Sequence, residues 1–246
     1  MEADRRSELP AQDPHPAIIA AHLETDFVPD GDLSKRAWSG AESVRFSDSF
    51  FDGTSYPEIA TTVCARWSPG YLYLAFWCPY QILNVHEGED PARERWELWE
   101  RDVVEAFLNP QPRRSLHYYE FEVAPNNQWL DLEIDLERTP RADRSWHSGF
   151  EHAARIDASN RVWSVEMRIP VASMGVERIS PGDAWKVNFY RCDGSGDGMG
   201  RRMMGWSPRP TQSTGHSFHE PASFGTLRFA DPGRWSGRKS GGPIPK

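Results

Sequence analysis

Two side chains in residues 99–110, Trp-Glu-Arg-Asp-Val-Val-Glu-Ala-Phe-Leu-Asn-Pro, have the types and spacing to hold a polar ligand: Trp99 and Glu105. The run 102–108 is strand-forming, and alternation puts Glu105 on one face with Val103 and Phe107. A carboxylate on an apolar face needs a partner, either a structural cation or donors brought by a ligand. Trp99 stands at the loop edge just ahead of the strand. An aromatic at a strand mouth beside a carboxylate matches a sugar, which offers an apolar C–H face and a ring of hydroxyls.

The elements that must position these residues are strands. Strand signals recur at 43–47, 59–67, 71–78, 102–108, 116–124, 128–136, 150–157, 161–169, 184–192, 203–206 and 225–229. Turn residues separate them and helix-period stretches are scarce. Pro125-Asn126-Asn127 and Asp157-Ala158-Ser159-Asn160 mark tight connections. Short helices are expected at 91–98, with Pro91 in the first turn, and at 171–174 after Pro170.

The pattern predicts an all-β chain, an antiparallel β-sandwich of jelly-roll-like type over residues 15–230. A polar tail at 1–14 and a basic tail at 231–246 are expected to be disordered. Alternation sets Leu130, Leu132 and Ile134 against Asp131, Glu133 and Asp135, and Tyr119, Phe121 and Val123 against Glu120 and Glu122. It likewise sets Trp163, Val165, Met167 and Ile169 against Ser164, Glu166 and Arg168. One apolar and one wet face per sheet would leave those charges on a solvated surface.

Composition removes several function classes. The 246 residues carry 36 acidic and 28 basic side chains, and a net charge of −8 opposes binding to a phosphate backbone. No run approaches the ~20 apolar residues of a membrane span. The N-terminus has charge but no apolar stretch of a secretory signal. A cytosolic chain is the default expectation, unless an export segment has been lost from its start. Three cysteines, Cys64, Cys78 and Cys192, argue against a disulfide framework. If Trp67 faces Tyr71 across the turn at Ser68-Pro69-Gly70, Cys64 faces Leu74. Cys78 is then four residues out of register, at ~3.3 Å per residue too far for a bridge.

In order along the chain, Asp30-Gly31-Asp32-Leu33 leads to Trp38, followed by Leu72-Tyr73-Leu74 and Trp99-Glu100-x-Asp102-x-Val104-Glu105-x-Phe107. Trp163-x-Val165-Glu166-x-x-Ile169-Pro170, Gly182 to Asn188-Phe189, Trp206-Ser207-Pro208 and Phe218-His219-Glu220-Pro221-x-x-Phe224-Gly225-x-Leu227 complete the series. With these segments in this order, the chain resembles, over about residues 17–230, the family 9 carbohydrate-binding modules, sugar-binding β-sandwiches often attached to xylanases. In sugar-binding members two tryptophans sandwich the terminal sugar; Trp99 matches the first and Phe218 the second. Glu105 matches a glutamate that accepts sugar hydroxyls. Two positions depart from the family: Glu122 stands where it has a sugar-contacting arginine, and Gly215 where it has an asparagine.

The leading expectation is non-catalytic binding of the terminal sugar of a plant-type oligo- or polysaccharide. Trp99 and Phe218 would stack on it, and Glu105 with Glu122, Arg191 or His216 would fix hydroxyl directions. A separate carbohydrate-active enzyme is the expected protein partner. Other readings stay open. A degenerate module could act as a structural or interaction domain. A glycoside-cleaving enzyme would need two carboxyl groups ~5–5.5 Å or ~6.5–9.5 Å apart, and Glu120 with Glu122 share a face. A haem or metal site could draw on His216, His219, Met199, Met203 and Met204. The Gly-rich stretch 193–200 precedes no helix and reads as a loop. No cofactor is expected. Some family members hold structural calcium, but no spaced loop like an EF-hand marks a site here.

Overall fold

Runs of alternating apolar and polar residues become strands close to where alternation puts them. The structure, a computed structural model, describes residues 15–88, 90–194, 200–210, 213 and 217–231. The predicted tails at 1–14 and 231–246, Asp231 apart, lie outside the described residues.

The strands are β1 (Ala17–His22), β2 (Ser43–Phe46), β3 (Thr61–Ser68), β4 (Tyr71–Pro79), β5 (Val103–Asn109), β6 (His117–Val123) and β7 (Trp129–Asp135). There follow β8 (Ala142–Asp143), β9 (Glu151–Asp157), β10 (Val162–Pro170), β11 (Ala184–Asp193), β12 (Arg202–Gly205) and β13 (Gly225–Phe229). One sheet runs β8-β7-β6-β5-β11-β13-β1, with β12 also on β11. The other runs β1-β3-β4-β10-β9, with β2 on β3. Their inner faces meet in one core, where Val104, Ala106, Phe121 and Phe189 of the first sheet face Trp67, Leu74, Phe76 and Trp163 of the second. This is a β-sandwich.

Three expectations are corrected. No strand was expected at 17–22, an Ala-rich run without alternation, yet β1 forms there and stitches the sheets together. Its Ala17–Ala20 pair with β13 and its Ala21 and His22 with β3, both in parallel. The remaining pairings between named strands are antiparallel. Second, the β3–β4 hairpin turns on Pro69-Gly70 alone, so Ser68 rather than Trp67 faces Tyr71, and Cys64 faces Ala75. All three cysteines are free and buried.

Third, the helix expected at 91–98 does not form. Trp96 and Leu98, two apart, both pack into the same apolar cluster, which is an extended spacing rather than a helical one. The Arg95 amide donates to the Trp129 carbonyl (2.9 Å), and Glu97 takes a left-handed φ of 63°. A 3₁₀ turn follows at Leu98–Glu100; the other short helix does form, as a 3₁₀ turn at Val171–Met174.

The outer face of the second sheet is not wet at Glu166, which is fully buried. The chain before β2 folds over it, and Glu166 accepts from the amides of Asp30 (2.8 Å) and Gly31 (2.9 Å), Lys35 Nζ (2.8 Å) and Trp38 Nε1 (2.6 Å). Gly31 has φ +77° and a Cβ there would stand 2.9 Å from Arg155 Cβ, so glycine lets the loop close on the carboxylate. Glu166→Ala would leave a buried indole N–H and two loop amides without their acceptor, and the Lys35 ammonium with Asp30 alone (2.6 Å). A loss of about 3 kcal/mol in unfolding free energy is expected by urea titration.

Candidate functional site

The first sheet is covered on its outer face as well. Val103, Phe107, Tyr118, Leu130, Leu132 and Tyr190 form a second apolar cluster there, closed by Phe50, Leu98, Phe218 and Phe224 from loops. Glu105, Glu120 and Glu122 are on this face because Val104, Ala106, Phe121 and Val123 occupy the alternate positions and fill the inter-sheet core. The expectation of a solvated face for Glu120 and Glu122 is therefore corrected. Their exposures are 3% and 0%, and that of Glu105 is 2%. The loops that cover them leave no mark in the strands' own alternation.

Register brings the three together. Glu105 lies directly opposite Glu122, and Phe107 opposite Glu120. One carboxylate oxygen from each lies within 4.8 Å of the other two. Glu105 Oε1 accepts from the Cys192 thiol at 3.4 Å. No hydrogen-bond donor outside the cluster reaches either oxygen of Glu122 or Oε2 of Glu120; within it, the Glu120 carboxyl lies in hydrogen-bond reach of Glu122. Among the described residues no lysine or arginine forms an ion pair with any of the three. Burial, and then the charge of Glu120, push the Glu105 carboxyl up to about 8. Burial, and then Glu105 and Glu120, hold the Glu122 carboxyl well above the carboxylate range.

Above this floor lies a cleft of about 260 Å³. Glu105, Glu120 and Phe107 reach its surface, and Trp96, Trp99, Met203, Phe218 and His219 form its walls. Trp99 is half-buried on the 3₁₀ turn, anchored by the fully buried Leu98, and meets Trp96 edge-on at 4.9 Å. Arg201 holds that turn through the Trp99 carbonyl and Glu100. Asp102 ties the adjoining loops by accepting from the amides of Asn84 (2.9 Å) and Gly194 (2.6 Å). A neighbouring depression of about 530 Å³ shares Trp96 and Ala142 with the cleft and is bordered by Arg138, Arg144 and Ser145.

Of the residues picked from sequence, the structure brings together Trp99, Glu105, Glu122 and Phe218. Phe218 is 6% exposed; its ring stacks on Tyr190 at 4.1 Å and lies parallel to Phe51 at 5.7 Å. Arg191 is not in the cleft. Its neighbours Tyr190 and Cys192 face the cleft, so alternation sends Arg191 to the inner face, where it binds Asp193 (2.9 Å) and the Ile59 carbonyl (2.9 Å). His216 lies outside the described residues, as do Met199 and residues 195–199 of the Gly-rich loop. Met203 lines the cleft, while Met204 turns into the inter-sheet core. His219 stacks on Phe107 (5.4 Å), and its Nδ1 lies 2.7 Å from the Tyr118 hydroxyl. Sequence reasoning missed Trp96, hidden in the supposed helix, and the meeting of Glu105 with Glu122, which only pairing register reveals.

Both raised carboxyls have folded values above the ordinary 4.5. Their favourable contribution is complete below about 4.5 and is lost as pH rises through the Glu105 value near 8. In EDTA, thermal stability is expected to fall as pH is raised from 5 to 8. Glu122→Gln should flatten that slope and raise Tm at pH 8, with ~1 kcal/mol corresponding to roughly 2–4 °C in a chain of this size.

Comparison with known proteins identifies the architecture. A structure of a protein from Bacteroides uniformis described as carbohydrate-binding superposes with TM-score 0.69 at 19% identity, covering 87% of this chain and 99% of that one. A family 9 carbohydrate-binding module from Caldicellulosiruptor kristjanssonii, in complex with cellotriose, gives 0.63 at 17% identity over 90% of this chain and 96% of the module. A family 9 module of the same organism in complex with glucose gives 0.61 at 18% identity over 91% and 100%. In sequence, an extracellular protein of Arthroderma benhamiae is 25% identical over 146 residues, which span 54% of this chain and 63% of that relative. Matched over residues 29–231, the chain belongs to the carbohydrate family 9 binding domain-like family.

Proposed function

We propose that the cleft binds the terminal unit of an oligo- or polysaccharide without cleaving it. The observation that carries this is the pairing of a half-buried Trp99 with a carboxylate floor in a cleft of about 260 Å³. At ~30 Å³ per water that volume equals eight or nine waters, the scale of a single sugar ring. One face of the ring would lie on Trp99, and its hydroxyls would point at Glu105 and Glu120. The adjoining depression below Trp96 offers room for the next unit, in keeping with solved family modules that hold cellotriose and glucose.

The clamp works unequally. Trp99 supplies the free stacking surface, while Phe218 is packed among Tyr190 and Phe51 and shapes the wall with its edge. Hydrolysis asks for two carboxyls on opposing sides of the scissile bond. Here Glu105, Glu120 and Glu122 rise side by side from neighbouring strands, with one oxygen of each within 4.8 Å of the other two, closer than either hydrolytic separation and on one side of a bound ring. Delivery of the sugar to a separate carbohydrate-active enzyme, outside the cell as for the extracellular relative, is the role we assign to such binding.

The test is titration with gluco- and xylo-oligosaccharides, following tryptophan fluorescence and heat together. Saturable binding without new reducing ends is expected. Trp99→Ala should weaken it at least tenfold, ~1.4 kcal/mol, at nearly unchanged Tm. Phe218→Ala should cost about 3 kcal/mol of stability. A flat response across the panel would sink the sugar-binding reading and favour an interaction domain.

A further inference from the structure

Two buried carboxylates in this molecule are handled in opposite ways. Glu166 has two amides, an ammonium and an indole N–H around it. Glu122 is equally enclosed, yet no donor outside the carboxylate cluster reaches either of its oxygens, and it faces Glu105 directly across the β5–β6 pair. Glu120 Oε2, 3% exposed at the residue level, is also without such a donor. Like charges directly opposite on a sheet repel, and buried ones do so with little screening.

The spacing of these groups is that of a coordination shell. Three oxygens from three carboxylates lie within 4.8 Å of one another. Oxygens held at the 2.3–2.6 Å of Ca²⁺ coordination are separated by at most about 5 Å across the ion. Once their protons are released to an incoming ion, all three groups are hard, anionic oxygen donors, the set that selects Ca²⁺ over softer metals. Glu105 and Glu120 reach the cleft surface and Glu122 does not. An ammonium carried on a sugar would meet the first two and leave the enclosed Glu122 unanswered. A bare ion is small enough to answer all three.

We infer that Glu105, Glu120 and Glu122 form a divalent-cation site of the Ca²⁺ class in the floor of the cleft, where the ion presents itself to sugar hydroxyls. Hydroxyl oxygens of the bound ring complete a shell that needs six to eight oxygens in all. The inference rests on the sugar-binding reading only for that last step.

The test uses the full chain stripped with EDTA. Tb³⁺ is the first probe, because Trp96 and Trp99 border the same cleft and sensitise its emission. Sensitised emission displaced by Ca²⁺, and weakened at least tenfold in both Glu122→Gln and Glu120→Gln, is the expected result. No binding, or equal binding in wild type and both variants, overturns the site; the second outcome would point to another cluster, such as Glu94, Asp131 and His147. Melting curves in EDTA show that the variants are folded. Oligosaccharide titration in Ca²⁺ and in EDTA then separates the two claims. Tenfold weaker sugar binding in EDTA supports the ion as a sugar ligand. Equal affinity in both overturns that role and leaves the sugar reading standing. Absence of sugar binding in both overturns the sugar reading, while the terbium result still decides the cation site.

Discussion

A strand covered on both faces has no wet side to which a charge can be sent. β5 and β6 are such strands: every residue from Val103 to Asn109 and from His117 to Val123 is buried. Alternation leaves each side chain two destinations, the inter-sheet core or the cleft floor. Val104, Ala106, Phe121 and Val123 take the first, so Glu105, Glu120 and Glu122 are driven into the second. The walls of the cleft, the neighbouring loops and the charge problem at its base all follow from that placement.

How the fold treats its buried carboxylates separates scaffold from site. Glu166 locks the segment before β2 onto the outer face of the second sheet with four donors, and Asp102 ties two loops through their amides. Those groups are satisfied from within the chain and hold structure together. The Glu105, Glu120 and Glu122 cluster is left short of donors, and burial with mutual repulsion raises Glu105 and Glu122. Local arrangements that weaken a fold without an internal remedy tend to mark places where something outside the chain completes them.

The aromatic walls divide along the same line. Trp99 rides on a one-turn helix outside the sheet, held by Leu98 beneath and Arg201 beside it, and keeps part of its surface free. Phe218 is drawn into the stack with Tyr190 and Phe51 and serves packing first. Solved family modules at 17–18% identity share the sandwich, but that likeness extends to the fold alone. The chemistry of this cleft belongs to its own residues, above all to a glutamate at 122 facing one at 105.

Ten of the eleven predicted strands were legible within about one residue of their ends, and β3 within two, because alternation is a local property of the chain. The apolar setting of Glu105 and the position of Trp99 could be read for the same reason. The parallel strand β1, the one-residue shift at Pro69-Gly70 and the loss of the helix at 91–98 could not, since each depends on what the segment packs against. Arg191 shows the limit most simply: its type suited a polar site, but its parity on β11 sends it to the other face. Sequence alone thus determined eleven of the thirteen strands among the described residues, and the residue types available for binding. Tertiary structure alone decided that three carboxylates meet, because register across strands and cover from distant loops are set by contacts between segments far apart in the chain.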